Sequence, residues 1–168
     1  MSLEDTPDQP VIRCYNKPAI PTDVQARLTA EGMFVADYDS GWSLSAQQVP
    51  STDHRPAAGN TFNRIIEISQ VGGVGLIRTP NDDDKLIAVG EWEPNCATFR
   101  EIKGVQLKGI QMARFGLLTP EDSHHYGQAE EIYSSAGATV DNVKENESEI
   151  RDAIEALEYQ GRLRGPTE

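Results

Sequence analysis

Lysine and cysteine are both scarce: of 168 residues, 5 are Lys and 2 are Cys. No apolar run approaches the ~20 residues of a bilayer span. No charged segment leading into an apolar core opens the chain as a secretory leader would. These absences predict a soluble, unprocessed protein without a membrane partner, cytoplasmic or held within a macromolecular assembly. Cys14 and Cys96 lie far apart and make no disulfide framework, so both are read as reduced thiols. The sequence holds neither HExxH nor paired CxxC spacing, the patterns that place metal ligands on one helix face or one knuckle. His124 and His125 are neighbours and project ~100° apart on a helix, which excludes an i,i+4 ligand pair. No serine sits in a nucleophile elbow, and neither cysteine has a base beside it in sequence. The expectation is a non-enzymatic chain without metal or cofactor.

What is abundant is acid. There are 27 Asp and Glu against 15 Lys and Arg, a formal net charge of −12. Carboxylates hold hydration, and their mutual repulsion is screened within ~3 Å at molar salt. An acidic surface poor in lysine therefore predicts a halophilic setting. In such a setting the negative charge does not by itself exclude nucleic acid, as it would at low salt.

The chain is organised around residues 64–93. Three apolar runs, Ile65–Ile68, Val74–Ile77 and Leu86–Val89, are rich in β-branched residues and separated by Val71-Gly72-Gly73 and by Pro80 to Asp84. Such runs between turn formers predict an antiparallel meander. The glycines of the first break lack the third glycine and the following helix of a dinucleotide loop, and are read as turn residues. Asp84 with Glu91-Trp92-Glu93 has the acids of a metal-dependent nuclease core but glutamate where its lysine belongs, so Asn81–Asp84 is read as a hairpin tip.

Before the meander, Met1–Gln9 reads as a polar arm and Pro10–Tyr15 as a strand. Thr22, with Gln25 three residues on, predicts the start of a helix over 22–31 that buries Val24 and Leu28 and ends at Gly32. Met33–Tyr38 reads as a second strand, followed by a turn at Asp39-Ser40-Gly41. Pro50–Asn63, with Asp53, His54 and Arg55, reads as a connection.

After the meander the composition turns basic. Arg100, Lys103, Lys108 and Arg114 stand against Glu101 alone, flanked by Phe99 and Phe115, and two strands are predicted here. These six residues, Phe99, Arg100, Lys103, Lys108, Arg114 and Phe115, are the candidate surface for a protein partner or for self-association. Thr119-Pro120-Glu121-Asp122 predicts a helix to about Ala136, stopping at Gly137. Thr139 or Asp141 can cap a short second helix. Asn146, with Glu149 three residues on, predicts a third helix to Tyr159 ending at Gly161, with a stripe of Ile150, Ala153, Ile154 and Leu157. A competing arrangement joins 140–159 into one helix with Val143, Ile150 and Leu157 as a heptad seam.

Val140, Ile150, Ile154, Leu157, Gly161 and Leu163 sit where a helix-turn-helix unit keeps its packing residues, and the segment from Ile154 to Leu163 resembles the close of a winged-helix recognition helix leading into its wing. That resemblance covers about 30 of the 168 residues. It implies a degenerate helix-turn-helix-like unit and a nucleic-acid-binding regulator, with Arg151, Arg162 and Arg164 as contacts. Glu149, Asp152, Glu155 and Glu158 on the same helix repel phosphate, which puts this reading second.

The expected fold is α+β. An antiparallel-rich sheet domain over 1–116, with one packed helix at 22–31, precedes a C-terminal helical subdomain over 117–168. The expected function is a structural, assembly or interaction protein of a halophilic system, a component of a larger particle such as a virion.

Overall fold

The computed structural model describes residues 9–16, 22–35, 65, 67–79, 85–102, 105–134 and 140–165. The expected 50–63 connection, the turn at 39–41 and the tip at 81–84 lie outside them, as do Lys103 and Gly137.

The fold is α+β and rich in antiparallel pairing. The first strand, β1 (Val11–Tyr15), is followed by helix α1 (Thr22–Ala30) and strand β2 (Met33–Val35). Val24 and Leu28 of α1 are buried against Met33 and Val35. Gly32 ends the helix at φ +71°, as its position after the last periodic residue predicts. It also gives room: a Cβ there would stand 2.6 Å from the Phe115 ring.

Residues 65 and 67–71 form a second helix, α2, where a strand was expected. Ile65, Ile68 and Ser69 are buried while Glu67, Gln70 and Val71 are exposed. That is helical spacing. A strand would set Glu67 on the same face as Ile65 and leave Ile68 on the other. Gly72, at φ +79°, closes the helix with its amide donating to the Ile68 carbonyl at 2.8 Å.

The next two runs form the hairpin β3 (Gly73–Arg78) and β4 (Ile87–Trp92), as the sequence indicates. Then come β5 (Ala97–Ile102) and β6 (Val105–Gln111), the two strands expected over 96–115, and β7 (Arg114–Leu118), which was not expected. Helix α3 (Ser123–Ser134) leads to β8 (Val140–Asn142), a 3-10 turn (Lys144–Asn146) and helix α4 (Glu147–Tyr159). The short helix expected at Thr139 or Asp141 is instead β8, because its residues pair with β1, Cys14 facing Val140. That strand and the turn after it also break the continuous 140–159 helix.

Two sheets result. One runs β7-β4-β3-β1-β8 and the other β2-β6-β5. The early β-α-β segment is therefore not a unit: β2 joins the smaller sheet, and β1 pairs in parallel with β3. The expected meander survives as β3–β4, with β7 rather than residues 65–68 completing an antiparallel triplet.

Side chains of the larger sheet feed two cores. On one face Ile12, Ile77, Ala88, Trp92 and Phe115 pack with Ile65 and Ile68 of α2 and with Phe34 and Ile110 of the smaller sheet. On the other, Val11, Val74, Leu76, Ile87 and Val89 meet α3 and α4, including the predicted stripe Ile150, Ala153, Ile154 and Leu157. This second core crosses the division expected at 116/117, so α3 and α4 share it with the strands that precede them. Among the described residues no helix is long and apolar enough to cross a membrane.

Candidate functional site

The basic segment of an acidic chain folds into its own hairpin. Phe99 faces Lys108 and Arg100 faces Leu107 across β5–β6. The amide of Gln111 donates to the Cys96 carbonyl at 3.1 Å. Alternation of an antiparallel ladder then turns the backbone groups of residues 98, 100 and 102 toward β6, and those of Ala97, Phe99 and Glu101 away from it. Among the described residues β5 pairs with β6 alone. It is an edge, a row of donors and acceptors that accepts another strand, and charge on such an edge discourages unselective pairing.

The remaining two of the six candidate residues lie elsewhere. Arg114 opens β7, where its Nη1 donates to Glu158 at 2.9 Å and its Nε to Glu91 at 3.0 Å. These bonds, that to Glu158 foremost, raise its pKa further. Phe115 is core, 1% exposed, with the Arg164 guanidinium 5.2 Å from its ring centroid. The candidate surface thus contracts to the hairpin positions Phe99, Arg100 and Lys108.

The three C-terminal arginines are held in three places. Arg151 donates to Glu147 at 2.7 Å in the first turns of α4. Arg162, past the far end of that helix, donates to both Asp122 oxygens and to the Leu117 carbonyl. Arg164 donates to the Ala30 carbonyl at the end of α1. Asp122 is held at a pKa of about 2, chiefly by the Arg162 hydrogen bonds. Helix α4 begins after Asn146 as expected, but that side chain bonds Glu149 at 3.3 Å rather than capping the backbone.

A second surface feature escaped the sequence reading. A groove of about 450 Å³ lies at the carboxyl ends of the parallel pair β1 and β3, lined by Tyr15, Arg78, Glu130, Glu131 and Tyr133. Tyr15 and Arg78 are register partners at the last positions of their strands. Beneath them Arg13 is fully buried, ion-paired with Asp141 and 5.3 Å from the centroids of both the Tyr15 and Tyr133 rings. The Arg78 guanidinium stands 5.8 Å from the Tyr133 centroid and 3.8 Å from Glu130. Arg13 gave no signal in sequence, because an alternating V-I-R-C-Y strand reads as two-faced with its charge outward.

His124 and His125 stack edge-on at the start of α3, 5.0 Å apart. Among the described residues no group of three or more His, Cys, Asp or Glu is placed to hold a metal ion. Burial raises the Cys14 thiol well above its usual range and that of Cys96 to about 12, so both stay protonated at neutral pH and lack thiolate reactivity. A family model, a curated protein and a solved structure were each sought as a match to this chain, and none was found.

Proposed function

We propose that this chain is a non-enzymatic structural protein that assembles with further copies of itself through the β5–β6 hairpin. The observation that carries the reading is the β5 edge, whose outward backbone groups at Ala97, Phe99 and Glu101 have no strand beside them among the described residues. Strand addition to such an edge takes its affinity from main-chain hydrogen bonds and its selectivity from the flanking side chains. Arg100 and Lys108, against Glu101, give the hairpin strands a positive balance within a chain of net charge −12. A second copy is itself acidic, and at contact, within the ~3 Å that molar salt leaves unscreened, its α4 offers exposed Asp152 and Glu155. The excess of acid over base and the 5 lysines support a halophilic setting, and a larger particle such as a virion is the assembly in which we place the subunit.

Light scattering of the full chain in molar salt, over a range of protein concentrations, tests the proposal. It predicts dimers or larger species that grow with concentration. A lone monomer at every concentration contradicts it.

A further inference from the structure

The groove between β1, β3 and α3 has a chemistry unrelated to the hairpin. Its volume of about 450 Å³ falls within the ~300–1,000 Å³ typical of small-molecule sites. It opens at the carboxyl ends of two adjacent parallel strands, β1 and β3.

Arg78 is its key group. The side chain is 24% exposed, yet among the described residues its guanidinium makes no hydrogen bond: Glu130 is an ion-pair partner at 3.8 Å, and the Tyr133 ring packs 5.8 Å away. Its guanidinium lines the groove, and the planar fork is suited to a carboxylate. Glu130 and Glu131 stand on the same wall. A simple anion that reached Arg78 would be repelled by those two carboxylates, and a simple cation that reached them would be repelled by Arg78. A ligand carrying both charges side by side meets neither penalty. Its carboxylate lies on Arg78 and its ammonium against Glu130, in the order in which the protein's own charges alternate. Tyr15, half-buried with its ring centroid 4.9 Å from that of the buried Tyr133 and tilted by 56°, supplies the aromatic wall for the body of the ligand. The Tyr133 hydroxyl already bonds the Cys14 carbonyl and its ring packs against Arg13 and Arg78, so this residue backs the wall rather than touching the ligand.

We propose that the groove lined by Tyr15, Arg78, Glu130, Glu131 and Tyr133 binds a small zwitterion of the amino-acid class, with Arg78 reading the carboxylate and Glu130 the ammonium. The site lies apart from the β5–β6 hairpin and stands or falls independently of assembly through it.

The test is an amide-shift NMR titration of the isotope-labelled full chain with each of the common L-amino acids, then with the N-acetyl and amide derivatives of the best binder. Saturable shifts centred on Tyr15, Arg78 and Glu130 are expected for at least one amino acid. Each derivative, having lost one charge, binds about tenfold more weakly or worse. Arg78→Gln removes binding of the zwitterion. Glu130→Gln, at a half-exposed position, weakens the zwitterion and strengthens the N-acetyl form, from which it removes a repelling carboxylate, and this opposite response keeps the test decisive if Arg78→Gln fails to fold. The proposal is overturned if no amino acid shifts these residues, if the singly charged derivatives bind as tightly as the zwitterion, or if Glu130→Gln weakens both forms alike.

Discussion

The phenolic hydroxyl of Tyr133 donates a 2.7 Å hydrogen bond to the carbonyl oxygen of Cys14. That bond fastens α3 to the second-last residue of β1 and holds the Tyr133 ring against Arg13 and Arg78. Burial pushes the phenol well above its usual pKa, so it remains a donor throughout the physiological range. Tyr133→Phe keeps the ring and removes the donor. It is expected to lower stability by about 1–2 kcal/mol in urea melts, because a buried carbonyl loses its partner. An unchanged midpoint and slope would show that the carbonyl is satisfied otherwise.

Asn16 is the polar joint between three elements. Its Nδ2 donates to the Thr29 hydroxyl at 3.0 Å and to the Met33 carbonyl at 2.8 Å, and its Oδ1 accepts from the Val35 amide at 2.8 Å. The network continues from Thr29 to Thr79 at 2.6 Å, both buried, and on to the carbonyl of half-buried Gln25. Asn16→Ala strands several of these groups at once and should cost about 2–4 kcal/mol in equilibrium denaturation. A loss below about 1 kcal/mol would mean that α1 and β2 are positioned by their apolar contacts alone.

The Asp122–Arg162 pair ties the start of α3 to the segment after α4 and responds to pH. The Asp122 carboxyl, with its side chain 17% exposed, is depressed to about 2 mainly by hydrogen bonds from Arg162. A depressed acid stabilises the fold above its unfolded-state value of about 4 and loses that contribution as pH falls through its folded value. Asp122→Asn should therefore cost about 1 kcal/mol at neutral pH, a figure reduced by screening at the partly exposed arginine. The gap between native and variant proteins should narrow between about pH 4 and pH 2 and vanish below that. Thermal melts across this range check it, and a gap that persists below pH 2 would assign the cost to the lost Thr119 contact instead.

Much of this architecture is legible in short-range pattern. The Val24–Leu28 spacing and Gly32 mark α1, β-branched runs between turn formers mark β3 and β4, and the Ile150-to-Leu157 stripe marks α4. The misreadings have physical causes. Ile65, Ile66 and Ile68 favour strand by side-chain type, but only the helical period buries Ile65 with Ile68 and leaves Glu67 in water. Three residues of β8 are too few to carry a period, and their strand identity comes from β1 alone. The parallel pairing of β1 with β3 joins residues 11–15 to 74–78 across a long connection that no local signal encodes. The groove depends on that pairing, which brings Tyr15 beside Arg78, and on α3, which delivers Glu130 and Tyr133. The basic hairpin was visible as composition, whereas the burial of Phe115 and the ion pairs of Arg114 required the β4–β7 ladder.

The hairpin edge is most directly tested at Glu101. Its amide points away from β6, so proline there leaves the β5–β6 ladder intact and removes one outward donor. Light scattering of native chain and Glu101→Pro, side by side in molar salt, measures the consequence. The account predicts that the native chain is oligomeric and that the variant, with an unchanged circular dichroism spectrum, falls to the mass of a monomer. A variant that keeps the native oligomeric mass would contradict assembly through β5.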